Sequence, residues 1–114
     1  MNIRHYEKSF TYTDRELLKI ARAVGRLATY CQRIKDEASI IHVDAERRST
    51  KKSRDQFKVT IRLELPHKTL TAESRRPDVV EAVDRCVEKL EPQVKRYKDM
   101  LMSRRERRQS AAHR

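Results

Sequence analysis

The sequence predicts an α+β domain in which a four-stranded sheet carries two helices on one face, in the order β-α-β-β-β-α. Three observations predict it. Thr13-Asp14-Arg15-Glu16 is a capping box that opens a run of helical periodicity; Phe57 to Leu65 alternates apolar and polar residues without interruption; and a seam from Val83 to Leu101 steps by four and three. With 114 residues the chain fits a single unit, expected over residues 1–102. A second domain would lack the apolar surface for a core of its own.

Asn2 to Glu7 is expected as the first strand, resting mainly on Ile3. In the capping box the Thr13 hydroxyl can accept from the Glu16 amide while the Glu16 carboxylate reaches back, so a helix starts at Asp14. Leu17, Ala21, Val24, Ala28 and Cys31 recur along it, with Ile20 and Leu27 widening the stripe, and it is expected to run to about Tyr30. Gly25 lies inside it. A helical glycine costs about 1 kcal/mol against alanine, which suggests close packing against a neighbour.

Ser39 to Ala45 is expected as the second strand, with Ile41, Val43 and Ala45 facing a core and His42 and Asp44 facing solvent. The run Arg47 to Arg54 is basic, free of acids and without apolar period, and is expected as a loop. Phe57 to Leu65 is the third strand, Pro66-His67 a turn, and Thr69 to Glu73 a fourth strand with Leu70 and Ala72 inward. Pro77-Asp78 opens the last helix, since proline is tolerated in a first turn. Pro92 should bend that helix near Glu88 without ending it, because the seam keeps its phase. Residues 103–114 continue no apolar face and are expected as a basic flexible tail.

A strand, helix and strand in succession place strand one parallel to strand two, and strands two to four then form an antiparallel meander. Each helix has one apolar stripe, so both pack on the same sheet face.

Lys and Arg number 28 against 17 Asp and Glu, a formal charge of +11. A field of that sign attracts polyanions, and nucleic acid is the leading class because neutralised phosphates release counterions. No run of roughly 18 apolar residues could span a bilayer, and no signal peptide opens the chain, so a cytoplasmic protein with no membrane partner is expected. On the first helix Arg15, Lys19, Arg22 and Arg26 fall on one line, nearly opposite the core stripe. No acid occurs between Lys19 and Lys35 to neutralise them. On the last helix Arg85, Lys89 and Arg96 share one line, and Glu81, Asp84, Glu88 and Glu91 share another across the seam. The scattered tyrosines, Tyr6, Tyr12, Tyr30 and Tyr97, supply no aromatic pair on the outer sheet face, so backbone and shape recognition of folded RNA suits these charges better than base stacking.

Catalysis is not expected. His42 and Asp44 share a strand face but make no active site; His5, His67 and His113 are isolated; Cys31 and Cys86 are expected as buried thiols. A single glycine allows no Gly-rich phosphate loop, and no metal-ligand spacing occurs. Neither a cofactor, a metal nor a small-molecule substrate is expected.

Thr13-Asp14, Arg22, Val24-Gly25-Arg26-Leu27 and Tyr30 resemble the first helix of the ribosome hibernation promoting factors, also called ribosome-associated inhibitors, protein Y or sigma-54 modulation proteins. Asp78, Ala82-Val83-Asp84, Val87-Glu88-Lys89-Leu90-Glu91 and Gln93-Val94-Lys95-Arg96-Tyr97-Lys98 are similar to that family's second helix. The resemblance covers residues 1–101. It implies a fold akin to double-stranded-RNA-binding domains, and binding to the small ribosomal subunit where mRNA and tRNA pass, halting translation under stress or in stationary phase. It further implies that Arg22, Arg26, Lys89, Lys95 and Arg96 contact ribosomal RNA, while Arg15, Lys19 and Arg85 join them from stripe geometry alone. Pro92, the 47–54 loop and the Pro66-His67 turn depart from the family pattern. The chain looks like a short form without the second, dimerising domain of long members, so ribosome pairing would need a helper factor, and its basic tail differs from the acidic tails of some short members.

Two other functions fit the same residues. One is a non-ribosomal RNA- or DNA-binding regulator of this fold. The other is an adaptor that recruits proteins through its acidic helix flank and sheet edge.

Overall fold

A computed structural model describes residues 2–31, 39–48 and 55–112, with side chains described as far as Ser103. Six elements follow in the expected order: β1 (Asn2–Lys8), α1 (Asp14–Ala28), β2 (Ile40–Arg47), β3 (Phe57–Leu65), β4 (Lys68–Arg76) and α2 (Val79–Ala112). They form one sheet of spatial order β1-β2-β3-β4. β1 runs parallel to β2 with Ile3 opposite Ile41; β2 and β3 are antiparallel with Val43 opposite Ile61; β3 and β4 are antiparallel with Ile61 opposite Ala72.

Strict alternation in β3 sends Val59, Ile61 and Leu63 fully into the core, each burial stabilising by about 1.5–3 kcal/mol. Ile41 and Val43 join them from β2, Ile20, Val24 and Leu27 from α1, and Val83, Val87, Leu90, Val94 and Tyr97 from α2. Both helices therefore cover the same sheet face. The capping box forms as predicted: the Glu16 amide donates to the Thr13 hydroxyl at 3.1 Å and the Thr13 amide to the Glu16 carboxylate at 2.9 Å. At the other end the Thr29 hydroxyl donates to the Arg26 carbonyl at 2.6 Å, and α1 stops at Ala28, slightly short of Tyr30.

Several expectations are corrected. β4 runs from Lys68 to Arg76, beyond Thr69–Glu73, because the two-residue Pro66-His67 turn lets every residue of β3 find a partner. α2 begins at Val79. Asp78 is its cap, accepting from the Glu81 amide at 3.2 Å, and Pro77 stands before the helix rather than in its first turn. As expected, Pro92 does not end α2, but the helix continues past Met102 to Ala112, where Arg, Glu, Gln and Ala favour helix without an apolar face. A β-carbon on Gly25 would meet nothing within 4 Å, so close packing does not explain that glycine. The expected basic loop lies mostly outside the described residues, which include Arg47 and Arg48 but not 49–54.

His42, expected to face solvent, lies on the outer sheet face yet is only 5% exposed. The parallel register sets Arg4 opposite His42 and Tyr6 opposite Asp44, which brings Tyr6 diagonally over the imidazole. The two rings stack with centroids 6.0 Å apart at 17°, and a Glu64 carboxylate oxygen lies 3.3 Å from Nε2. The outer face thus holds an aromatic pair that linear sequence does not show.

Candidate nucleic-acid interface

α1 and α2 lie side by side and run in the same sense: Ala23 sits by Val80, Arg26 meets Asp84, and the ring of Tyr30 lies under Lys95. Between them runs an open groove of about 360 Å³ lined by Lys19, Arg22, Ala23, Arg26, Val80 and Asp84. The sequence places these cations on α1 because positions 19, 22 and 26 share one side of a helix. It places Ala23 and Val80 as the small apolar floor where the helices approach.

Arg15, Lys19, Arg22 and Arg26 are all exposed. Among the described residues Arg15, Lys19 and Arg22 make no ion pair, which for Lys19 and Arg22 follows the expectation from the absence of acids between Lys19 and Lys35. The acids of the first turn, Asp14 and Glu16, lie beside Arg15 without pairing with it. Arg26 does not follow that expectation: its Nη2 donates to Asp84 Oδ1 at 3.1 Å, with the two side chains 53% and 47% exposed. Asp84, from the acidic line of α2, therefore faces the first helix. Two other acids of that line are engaged elsewhere, Glu81 with Arg76 at 3.9 Å and Glu88 with Arg85 at 3.0 Å. Pairs this exposed contribute about 0–1 kcal/mol to stability, so their main effect is on where the cations point.

The other candidates divide between the two flanks of α2. Lys95 lies on the α1 side, its ammonium 4.8 Å from the Tyr30 ring centroid, a cation–π contact that the positions 30 and 95 do not advertise in sequence. Lys89 lies on the opposite side and donates to the Glu73 carbonyl of β4 at 2.7 Å. Gln93 follows it, donating to the Thr71 carbonyl at 3.2 Å. Arg96 Nε bonds its own helix at the Pro92 carbonyl at 3.4 Å, and Arg85 holds Glu88. The groove accordingly gathers Lys19, Arg22 and Arg26, while Arg85, Lys89 and Arg96 form a separate flank toward β4.

A second hollow, of about 310 Å³, is lined by Tyr6, Glu7, Lys8, Asp44, Ala45, Glu46, Lys58 and Thr60. Its cations are matched by acids, with Lys8 to Glu46 and Lys58 to Glu73 each 3.8 Å. A polyanion gains little there. Cys86 is fully buried and donates to the carbonyls of Val59 and Ala72 at 3.4 and 3.7 Å. Desolvation, offset in part by nearby Lys89, pushes its thiol up to about 12, so at neutral pH it is no nucleophile. Among the described residues no group of three or more His, Cys, Asp or Glu could hold a metal ion, and no helix is long and apolar enough to cross a membrane.

Residues 3–102 match the family model for Sigma 54 modulation protein / S30EA ribosomal protein. Among solved structures the chain is similar to the N-terminal domain of Thermus thermophilus Protein Y, with 26% identity and a TM-score of 0.68 over 85% of this chain and 99% of that one. A ribosomal subunit interface protein from Coxiella burnetii shares the fold, with 24% identity and a TM-score of 0.69 over 87% of this chain and 99% of that one. No curated protein matches the chain.

Proposed function

The chain belongs to the sigma-54 modulation protein / S30EA ribosomal protein family, and from that premise we propose that it is a ribosome hibernation factor, binding the small ribosomal subunit in the mRNA and tRNA channel and halting translation under stress or in stationary phase. The observation that carries this reading is the groove between α1 and α2, where Lys19 and Arg22 have no acidic partner among the described residues. Unpaired cations on a rigid helix surface repel one another until a polyanion neutralises them, and they sit on helices whose core packing fixes their spacing.

In this reading Arg15, Lys19, Arg22, Arg26 and Lys95 contact backbone phosphates of ribosomal RNA from the α1 side. Arg85, Lys89 and Arg96 contact a second stretch from the β4 side. Phosphate contacts fix position and orientation without reading sequence, which suits a protein that occupies a channel by shape. The working compartment is the cytoplasm, where ribosomes are. Pairing of ribosomes, if the protein promotes it, uses a helper factor.

Sucrose-gradient sedimentation with purified small subunits tests the reading. The protein co-sediments, competes with tRNA, and loses affinity steeply with salt, about 0.7–0.9 in log K per log salt for each phosphate neutralised. Reversing charge with Arg22→Glu and Arg26→Glu together abolishes co-sedimentation and relieves inhibition of translation in vitro. Equal binding to free duplex RNA, with ribosomes translating undisturbed, would count against it.

A further inference from the structure

We propose that Asp84, an acid on the side of α2 that faces the groove, is a positioning residue for RNA binding. It holds the Arg26 guanidinium so that the free edge of that group meets a backbone phosphate beside Lys19 and Arg22. The proposal rests on the ribosome-binding function above and assigns a role to a residue that charge alone would count as an obstacle.

The geometry carries the inference. Arg26 gives only Nη2 to Asp84, at 3.1 Å. Its Nε and Nη1 take no acceptor among the described residues, and Nη2 keeps a second N–H, so the edge that pairs Nη2 with whichever of Nε and Nη1 lies away from Asp84 stays open for the planar, two-donor contact that arginine makes with phosphate oxygens. Of the paired acids on the same line of α2, Glu81 holds Arg76 and Glu88 holds Arg85. Asp84 is the one whose pair crosses to α1. An exposed arginine otherwise samples many rotamers, and freezing it on binding costs affinity; a contact that fixes it in the free protein removes part of that cost. Arg22 lies one turn and Lys19 two turns before Arg26 on the same helix, and Ala23 and Val80 floor the groove with apolar surface, so the three cations converge on one open channel. An open channel of this kind suits a chain that passes through it.

The alternative role for Asp84, a mere counter-ion that RNA must outcompete, makes the opposite prediction, and the sign of one substitution separates them. Affinity for purified small subunits is titrated over a salt series for the wild type, Asp84→Ala, Arg26→Ala and the double variant. Positioning predicts that Asp84→Ala weakens binding about three- to ten-fold although the net charge rises, with a salt slope shallower by about one. It predicts no further loss when Asp84→Ala is added to Arg26→Ala, because the group to be positioned is gone. Tighter or unchanged binding by Asp84→Ala in the wild-type background overturns the proposal. Failure of the wild type itself to bind small subunits overturns the ribosome-binding function, and this role with it.

Discussion

Lys89 reaches from α2 to an edge strand of the sheet, where its ammonium donates to the Glu73 carbonyl at 2.7 Å. Gln93, one turn on, donates to the Thr71 carbonyl at 3.2 Å. Side chains of the last helix thus occupy backbone acceptors that an edge strand would otherwise offer to a strand of another molecule. Lys89→Ala with Gln93→Ala is expected to destabilise the fold by about 1 kcal/mol, since exposed hydrogen bonds contribute modestly, and to increase self-association in sedimentation velocity runs. Lys89→Ala alone should weaken ribosome binding less than Arg22→Ala, because the Lys89 ammonium is already held. An unchanged melting curve together with unchanged sedimentation of the double variant would show these bonds to be idle.

Gly25 offers a stability gain. It sits in the middle of α1, and a β-carbon there meets nothing within 4 Å. Alanine restricts the unfolded chain and favours helix, so Gly25→Ala should stabilise by about 1 kcal/mol, raising the melting temperature by roughly 4 °C for a domain of this size. Calorimetry that found a lower melting temperature would mean that the helix needs the glycine after all.

The parts of the fold that follow from local rules were legible in the sequence. The capping box at Thr13, the alternation of β3 and the seam of α2 each depend on neighbours a few residues apart, and each formed where expected. What escaped depends on register and on the angle between elements. Tyr6 finds His42 only because β1 pairs with β2 in one particular parallel register. Asp84 meets Arg26 only because α1 and α2 lie side by side on one face, a relation that the periodicity of either helix alone does not contain. The candidate cations were individually visible as exposed positions. Their division into a groove and a separate β4-side flank was not, since it is set by which side of α2 touches α1.

The β3–β4 turn carries a local strain that can be removed. His67 has φ of 67°, in the left-handed region that costs a residue with a β-carbon about 1–2 kcal/mol. The turn is held from above by the Tyr97 hydroxyl, which donates to the Pro66 carbonyl at 3.1 Å, so its shape is imposed by α2 as well as by the hairpin. Replacing the exposed imidazole by glycine should relieve the strain, with His67→Gly gaining up to about 1 kcal/mol in urea unfolding, glycine's greater freedom in the unfolded chain offsetting the rest. A loss of stability would place the histidine in a contact beyond its backbone.

Stability should depend on pH through His5 and Tyr12, whose rings meet edge-on with centroids 5.4 Å apart. Burial lowers the His5 pKa from its ordinary 6.5, and the charge of Glu7 restores part of it. The folded protein therefore holds a proton on His5 less readily than the unfolded chain does. The neutral ring's contribution is fully present above pH 6.5 and declines as pH falls below that value, levelling once the lowered folded pKa is passed. Tyr12 acts at the other end. Burial first, then the charges of Glu7, Glu16 and Asp44, push its phenol well above the ordinary 10.0. The unfolded chain ionises there while the folded one does not, so stability falls as pH rises beyond 10. Denaturant melts of the wild type between pH 5 and 8, set against His5→Phe, which cannot titrate, isolate the first effect: the variant's curve should be flatter between pH 5 and 6.5, and parallel curves would exclude His5 as its source.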